Sequence, residues 1–411
     1  MASLLITGLD IGTGSIKAVV VEKCRGRPLA LKMVLREPSF GLRRGAIVDL
    51  AEASSSVNRI LSEIKKFSKA AAKNIYLSIG TPQIKVQSSQ GITPVSRADN
   101  EIYQEDIDKV VVMASQSVNM APNRTIIHNI TKEFIVDGVG DIYDPLGLSG
   151  NRLEVRSLIV DAFSPHIKNL MRVTELAGGE ISGLVFGPLV VCRSALSKSQ
   201  KELGTALVDL GFGTTGLSVY EESKLVGVAK FPLGAVNVSN DLAIGLRVPA
   251  SVGEEIKLNC GYALAKDVGH KESVELKKFS PEAKTAVSKR FVAEIIESRL
   301  SEILELVGNE LKLMKKFGEL PGGVVLVGGG AKLPGLTDLA RSELKLSSQI
   351  GFTLSQEFAA EGSDLSEYFE EPEYATAFGL ALWGSDAAER GRGGLLTGGF
   401  GLKNLIRYFV P

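Results

Sequence analysis

The chain has 411 residues, enough for two or more domains with buried cores. Its 47 Lys and Arg balance its 47 Asp and Glu, which argues against nucleic acid as the main partner, because that needs a basic surface. The three isolated cysteines, Cys24, Cys192 and Cys260, make no disulfide framework or metal spacing, which suits a reducing cytoplasm, and no apolar run approaches the roughly 20 residues of a membrane span.

The first element is Leu5 to Glu22, LITGLDIGTGSIKAVVVE. Apolar runs on either side of a glycine turn predict a β-hairpin, with Asp10 at the end of its first strand. Asp10 interrupts the apolar stretch and no charged leader precedes it, so it does not read as a signal peptide. Gly12 and Gly14 let the backbone come close to a ligand and take φ > 0. Successive turn N–H groups then form an anion-binding concavity. Thr13 and Ser15 add hydroxyl donors. Asp10 cannot face phosphate directly, but it fits a role holding Mg²⁺ or its waters, because Mg²⁺ keeps several waters and needs few carboxylates. Lys17 can place a positive charge on a β- or γ-phosphate. A dinucleotide fingerprint would need a helix after the glycines, and a β-branched strand follows instead.

A turn at Arg25 to Pro28 leads to a strand from Leu29 to Leu35. Gly45 to Asp49 introduces a helix with Ile60, Ile64 and Phe67 on its apolar face. Asn74 to Ile79 is a short buried strand. From there to about Leu170 the texture changes: strand-like segments surround a helix from Gln104 to Val118, which predicts an inserted α+β module. A helix from Met171, a strand at Ile181 to Val185 and a crossing helix from Pro188 to Leu196 follow. His128, His166 and His270 are scattered and read as structural or surface residues.

The hairpin then recurs at Leu207 to Glu221, LVDLGFGTTGLSVYE. Asp209 stands where Asp10 did, and Gly211, Gly213, Thr214 and Thr215 repeat the turn chemistry. Repetition predicts a duplicated domain in which one turn from each half closes on a shared phosphate chain. A strand from Lys224 to Phe231 and a helix from Gly234 to Leu246 follow. On the next helix, Glu254 and Lys257 lie three apart; they could reach a ribose or an adenine edge, or form only a surface ion pair. A long amphipathic helix spans Val287 to Lys315. Gly328, Gly329 and Gly330 lie between a buried strand and a helix, a usual ligand position in an α/β sheet, where an adenosine could lie against backbone; a simple turn is the alternative. The last core helix is Tyr374 to Trp383.

Ser385 to Gly399 reads as a flexible polar linker. Beyond it, Leu402, Leu405, Ile406 and Phe409 make an apolar stripe on a helix, with Phe400 before them and Lys403, Asn404 and Arg407 on the other face. That pattern predicts an interfacial membrane anchor whose cations meet anionic lipid, or else a helix docked on its own domain. So short a helix binds weakly alone, and a polymer would multiply its affinity.

These motifs together resemble the bacterial FtsA family of the actin and sugar-kinase superfamily, over essentially the whole chain. The D-x-G-x-G-x-x-K at Asp10 to Lys17 resembles the first phosphate motif, LVDLGFGTT the second, and VVLVGGGAKLPGL the adenosine motif. Residues 127–156 resemble the family's inserted subdomain, and GEEIKLNCG, YATAFGLALWG and the basic-apolar tail also match. Two positions depart from the family: LGAVNVSNDLA replaces a Gly-Gly and Thr-Asp pattern, and Phe212 replaces a small residue.

The resemblance implies a two-lobed α/β actin-like ATPase fold. Residues 1–80 and 169–200 form the first lobe core, 81–168 the inserted subdomain, 201–225 and 301–384 the second lobe core, and 226–300 its outer subdomain. It further implies ATP and Mg²⁺ in the cleft, at most slow hydrolysis with no base that can be named, and actin-like self-assembly. The implied partners are the C-terminal tail of FtsZ, anionic membrane lipid and other division proteins, at the inner face of the cytoplasmic membrane. Arg290 and Arg299 on the long helix are the candidates for holding the FtsZ tail. A sugar or metabolite kinase and a PilM-type pilus adaptor are the alternatives on the same fold.

Overall fold

Two β-hairpins with matching companions organise the computed structural model, which describes residues 3–280, 286–360 and 363–392. In the first lobe, β1 (Leu4–Ile11) and β2 (Ser15–Lys23) form an antiparallel hairpin that sets Asp10 opposite Lys17. Next come β3 (Leu29–Pro38) and a small hairpin of β4 (Leu42–Arg43) and β5 (Ala46–Ile47). They lead into α1 (Leu50–Phe67), capped by the Asp49 carboxylate, which accepts from the Ala51 and Glu52 N–H groups. Then β6 (Ile75–Ile79) runs parallel to β1.

The insertion is a sheet with one helix on it: β7 (Ile84–Pro94), α2 (Gln104–Gln116), β8 (Arg124–Val136), β9 (Val139–Ile142) and β10 (Arg152–Phe163), in the order β7-β10-β8-β9. Val110 and Val111 of α2 pack on Phe134, Leu153 and Val155, giving it a core of its own. The chain returns through α3 (Ser164–Leu176), β11 (Ile181–Phe186), α4 (Gly187–Ala195) and α5 (Lys198–Leu203).

The second lobe repeats the plan with β12 (Thr205–Leu210), β13 (Thr215–Glu221) and β14 (Lys224–Phe231). It continues through α6 (Ala235–Leu246), α7 (Ala250–Cys260), β15 (Ser273–Glu275), β16 (Ala286–Ser288) and α8 (Lys289–Leu313). After them come β17 (Val324–Val327), α9 (Leu336–Leu344) and β18 (Ser348–Ile350). The closing elements are β19 (Phe358–Ala360), α10 (Ser363–Ser366) and α11 (Ala375–Arg392).

The two large sheets read β3-β2-β1-β6-β11 and β14-β13-β12-β17-β18, the same arrangement twice. In each, a hairpin is extended by a third antiparallel strand on one side and by parallel strands on the other. The lobes are stitched together late in the chain, where β19 pairs with β3 and α11 covers the first-lobe sheet through Phe378 and Ala381. In the first lobe, Val57, Ile60, Leu61 and Ile64 of α1 pack against Leu9 and Ile16. Phe67, expected on that face, is the last helical residue and is exposed. In the second lobe the core lies between the sheet and α6 to α9, with Leu242, Ile256, Ile296 and Leu300 at its centre.

Three boundaries differ from the expectation. β14 belongs to the second-lobe sheet, so that core continues to Phe231. α8 runs unbroken across residue 300, with buried residues on both sides of it, so the two second-lobe subdomains share one helix. The expected linker is helical in its first half, because α11 continues to Arg392. Its polar residues there have partners: Lys23 Nζ donates to the Ser385 carbonyl at 2.8 Å and to Glu389 at 2.6 Å, and Arg193 pairs with Asp386 at 2.8 Å. Phe400, Leu402, Lys403, Leu405, Ile406, Arg407 and Phe409 lie outside the described residues. Among the described residues, no helix is long and apolar enough to cross a membrane.

Candidate functional site

The two glycine turns meet. A Cβ placed on Gly14 would lie 2.8 Å from Phe212 Cγ, and one on Gly213 would lie 2.8 Å from Thr13 Oγ1. The turns are therefore in van der Waals contact across the lobes, and only glycine permits it at either position. A Cβ on Gly12 would fall 2.8 Å from the Ser15 carbonyl oxygen and one on Gly211 2.9 Å from that of Thr214; none of the four turn glycines takes the expected positive φ, so they are required for space and not for a left-handed backbone.

Both aspartates end their strands beside this junction. Asp10 Oδ1 accepts from Ser78 Oγ at 2.6 Å. Asp209 is largely enclosed, and its Oδ2 stands 3.8 Å from Lys230 Nζ. Burial pushes the Asp209 carboxyl up, Lys230 opposes that, the nearby Asp10 charge pushes it up again and Lys17 draws it down. Two carboxylates and two ammonium groups thus share one small volume. Lys230 was not picked out from sequence, although a lysine in the apolar run KLVGVAKF was the available signal. Lys17 is itself paired: its Nζ lies 3.7 Å from Glu373, a carboxylate also approached by Arg36 at 3.5 Å and Lys332 at 3.4 Å.

The hydroxyls divide by role. Thr215 is fully buried and donates to the Leu233 carbonyl at 2.8 Å, so it holds the hairpin to the loop before α6. Thr13 Oγ1 accepts from the Gly45 N–H at 2.8 Å. Ser15 and Thr214 are buried next to them. The first N–H groups of α6 hold the second turn: Ala235 donates to the Gly211 carbonyl at 2.9 Å and Val236 to that of Phe212 at 2.8 Å. The turn carbonyls are fixed in this way, and the orientation of its N–H groups with them.

Of the three glycines after β17, two are explained by packing. A Cβ on Gly328, which has φ 86°, would fall 2.5 Å from Asp209 Oδ1, and one on Gly330 would fall 2.5 Å from the Leu210 side chain. Of the three, only Gly329 faces open space: a Cβ there would come no nearer than 4.0 Å to its closest neighbour, Glu373 Cβ. Glu254 and Lys257 form a partly buried pair, with Lys257 enclosed and Glu254 at the edge. Lys257 Nζ reaches Glu254 at 2.7 Å, Ser239 Oγ at 3.0 Å and the Ala235 carbonyl at 3.3 Å, while Ser239 Oγ also bonds Glu254. Burial lowers the Lys257 pKa and Glu254 opposes the shift. The Lys257 ammonium lies 5.7 Å from the Phe212 ring, so that ring has Gly14 and Lys257 as neighbours.

Arg290 and Arg299 project from α8, in the second lobe. Arg290 meets His270 at 3.0 Å and Glu294 at 3.5 Å. Arg299 pairs with Asp241 of α6 and with Glu302.

A phosphate-bound divalent ion suits this charge pattern. Among the described residues no group of three or more His, Cys, Asp or Glu is placed to hold a metal. The pair Asp10 and Asp209 would share such an ion with water and phosphate oxygens, which is how Mg²⁺ is commonly held. The Phe212 ring fills the space beside Gly14, as the Thr13 side chain does beside Gly213.

A family profile described as Cell division protein FtsA matches residues 206–379, and one described as the SHS2 domain inserted in FtsA matches residues 82–161. The chain is 35% identical over 341 residues to the cell division protein FtsA of Bacillus subtilis (strain 168), covering 83% of this chain and 77% of that one. It is 30% identical over 390 residues to FtsA of Escherichia coli (strain K12), covering 93% and 91%. Among solved structures it is similar to a PilM-PilN type IV pilus biogenesis complex (TM-score 0.65, 18% identity, 92% of this chain and 98% of that one). It is also similar to MreB5 of Spiroplasma citri bound to ADP (TM-score 0.55, 13% identity, 95% and 99%). At those identities the structural likeness shows the actin-like fold alone.

Proposed function

The chain belongs to the FtsA family of cell-division proteins, and from that premise we propose that it is an ATP-binding, actin-like adaptor that polymerises and tethers FtsZ filaments to the cytoplasmic face of the cell membrane at the division site. The observation that carries the nucleotide part is the meeting of the two turns, with Asp10 and Asp209 at the ends of the strands that lead into them, Lys17 opposite Asp10 and Lys230 beside Asp209. ATP would place its phosphates against the turn N–H groups, and Asp10 and Asp209 would hold Mg²⁺ or its waters. The adenosine would lie along Gly329, on the side of Glu254 and Lys257. When bound, the metal supplies charge neutralisation for the phosphates; Lys17 adds a point charge.

Arg290 and Arg299 remain the candidates for the acidic groups of the FtsZ tail, which would have to compete with the Glu294, Asp241 and Glu302 carboxylates. The amphipathic end supplies the membrane contact, and other division proteins join at the same place. A kinase on this fold would need a carboxylate facing a substrate pocket. The cavity at the mouth of the cleft carries none. Calorimetry with MgATP on the full chain tests the core of this reading. Asp209→Ala and Lys17→Ala should each weaken binding about tenfold or more, roughly 1.4 kcal/mol; unchanged affinity in both would refute the cleft assignment.

A further inference from the structure

A cavity of about 380 Å³ opens beside the junction of the two turns, bounded by Thr13, Gly213, the segment from Ser39 to Arg44 and the first turns of α6. Its polar lining supplies hydrogen-bond donors: two guanidinium groups, the Asn237 and Asn240 amides and the Thr13 and Ser39 hydroxyls. Arg43 and Arg44 are exposed, and among the described residues neither has a salt-bridge partner. Thr13 Oγ1 already accepts from Gly45, which leaves its hydroxyl proton to give. Asn237 Oδ1 already accepts from the Gly234 N–H at 3.0 Å, which leaves its amide NH₂ group as donor. Ser39 Oγ is buried and has no hydrogen-bond partner. No carboxylate lines the space.

The arginine segment is also held in place. The Ser39 N–H donates to the Gly14 carbonyl at 3.4 Å and the Gly45 N–H to Thr13 at 2.8 Å, so both its ends are tied to the first turn. Arg44 and Gly45 form the two-residue link of the β4–β5 hairpin, with φ 49° and 72°, the geometry of a tight type I′ turn. A guanidinium pair on a fixed hairpin beside hydroxyl and amide donors matches the planar, multidentate recognition that arginine gives phosphate.

We propose that this cavity is an oxyanion seat in which Arg43 and Arg44 read a phosphate group at the mouth of the cleft. The phosphate is the terminal one of a bound nucleoside triphosphate or a free phosphate ion; the first source rests on the nucleotide reading above. In that case Arg43 and Arg44 are specificity residues that separate triphosphate from diphosphate, from the lobe opposite α6.

The test is calorimetry on the full chain and on an Arg43→Gln, Arg44→Gln double variant, with ADP, a non-hydrolysable imido analogue of ATP, and inorganic phosphate, all with Mg²⁺. The wild type is expected to bind the triphosphate at least tenfold more tightly than ADP. The variant should lose that preference while its ADP affinity stays within twofold, which also shows that it is folded. A preference undiminished in the variant overturns the proposal. If neither nucleotide binds the wild type, the nucleotide reading falls and the phosphate arm decides alone. Millimolar phosphate binding that the variant loses supports the seat, and phosphate binding that is absent or unchanged overturns it. Equal affinity for both nucleotides, with no phosphate binding, overturns it as well.

Discussion

The Phe212 ring lies directly against Gly14: a Cβ on that glycine would come within 2.8 Å of Phe212 Cγ and 2.9 Å of Phe212 Cβ. The contact closes one lobe on the other through an apolar side chain, at the point where a phosphate chain would pass. Phe212→Gly is therefore expected to tighten MgATP binding by about tenfold, roughly 1.4 kcal/mol, because no ring has to move aside. Calorimetry checks it; an affinity equal to or weaker than that of the wild type would show that the ring does not compete with the ligand.

Lys230 balances Asp209 in a buried position, with the side chains only 6% and 15% exposed. Removing the cation alone leaves a carboxylate without its counter-charge, so Lys230→Met should cost about 1–3 kcal/mol of stability. Adding Asp209→Asn to that variant should restore part of the loss, because the unpaired charge is gone. Thermal melts of the two single variants and the double variant measure the coupling; strict additivity would show that the pair does not interact.

His128 is buried, its Nε2 accepts from the Phe186 N–H at 3.0 Å, and its ring stands 5.7 Å from Trp383. Burial pushes the imidazole pKa down from 6.5 to about 4. The folded protein thus holds His128 neutral over a range in which the unfolded chain takes up a proton. Its contribution is complete above pH 6.5 and is lost as the pH falls toward 4, a total of about 3 kcal/mol. Denaturant melts between pH 7.5 and pH 4.5 should show wild type losing about 2–3 kcal/mol more than His128→Gln. Parallel pH profiles for the two proteins would rule this out.

Deleting residues 400–411 should abolish co-sedimentation with vesicles containing anionic lipid while leaving nucleotide affinity within twofold. Raising salt should weaken the wild-type interaction, because Lys403 and Arg407 attract the surface through a screened field. Full binding by the truncated chain would move the membrane contact elsewhere on the protein.

The duplicated plan was legible because it is local. Each hairpin carries its own glycines and its own aspartate at a fixed offset, so two short stretches announce two lobes. The role of the surrounding residues was not legible in the same way. Gly328 and Gly330 look like ligand glycines until Asp209 and Leu210, more than a hundred residues away, are seen to occupy their Cβ positions. Glu254 and Lys257 do lie on one helical face, but Ser239 on another helix draws both into a partly buried cluster. Lys230 had only its place in the apolar run KLVGVAKF to mark it, and Glu373 had no local pattern, because their partners come from another strand and from the far end of the chain. The polar composition of Ser385 to Arg392 reads as linker only until Lys23 and Arg193 supply its counter-charges.

That last helix has a mechanical consequence. Because α11 is bolted to the first lobe by Phe378 and Ala381 and by the Lys23 and Arg193 bridges, the chain departs from one fixed berth at Arg392. Whatever follows Arg392 in the chain is therefore presented from the first-lobe side of the molecule, in a direction set by the helix that carries it.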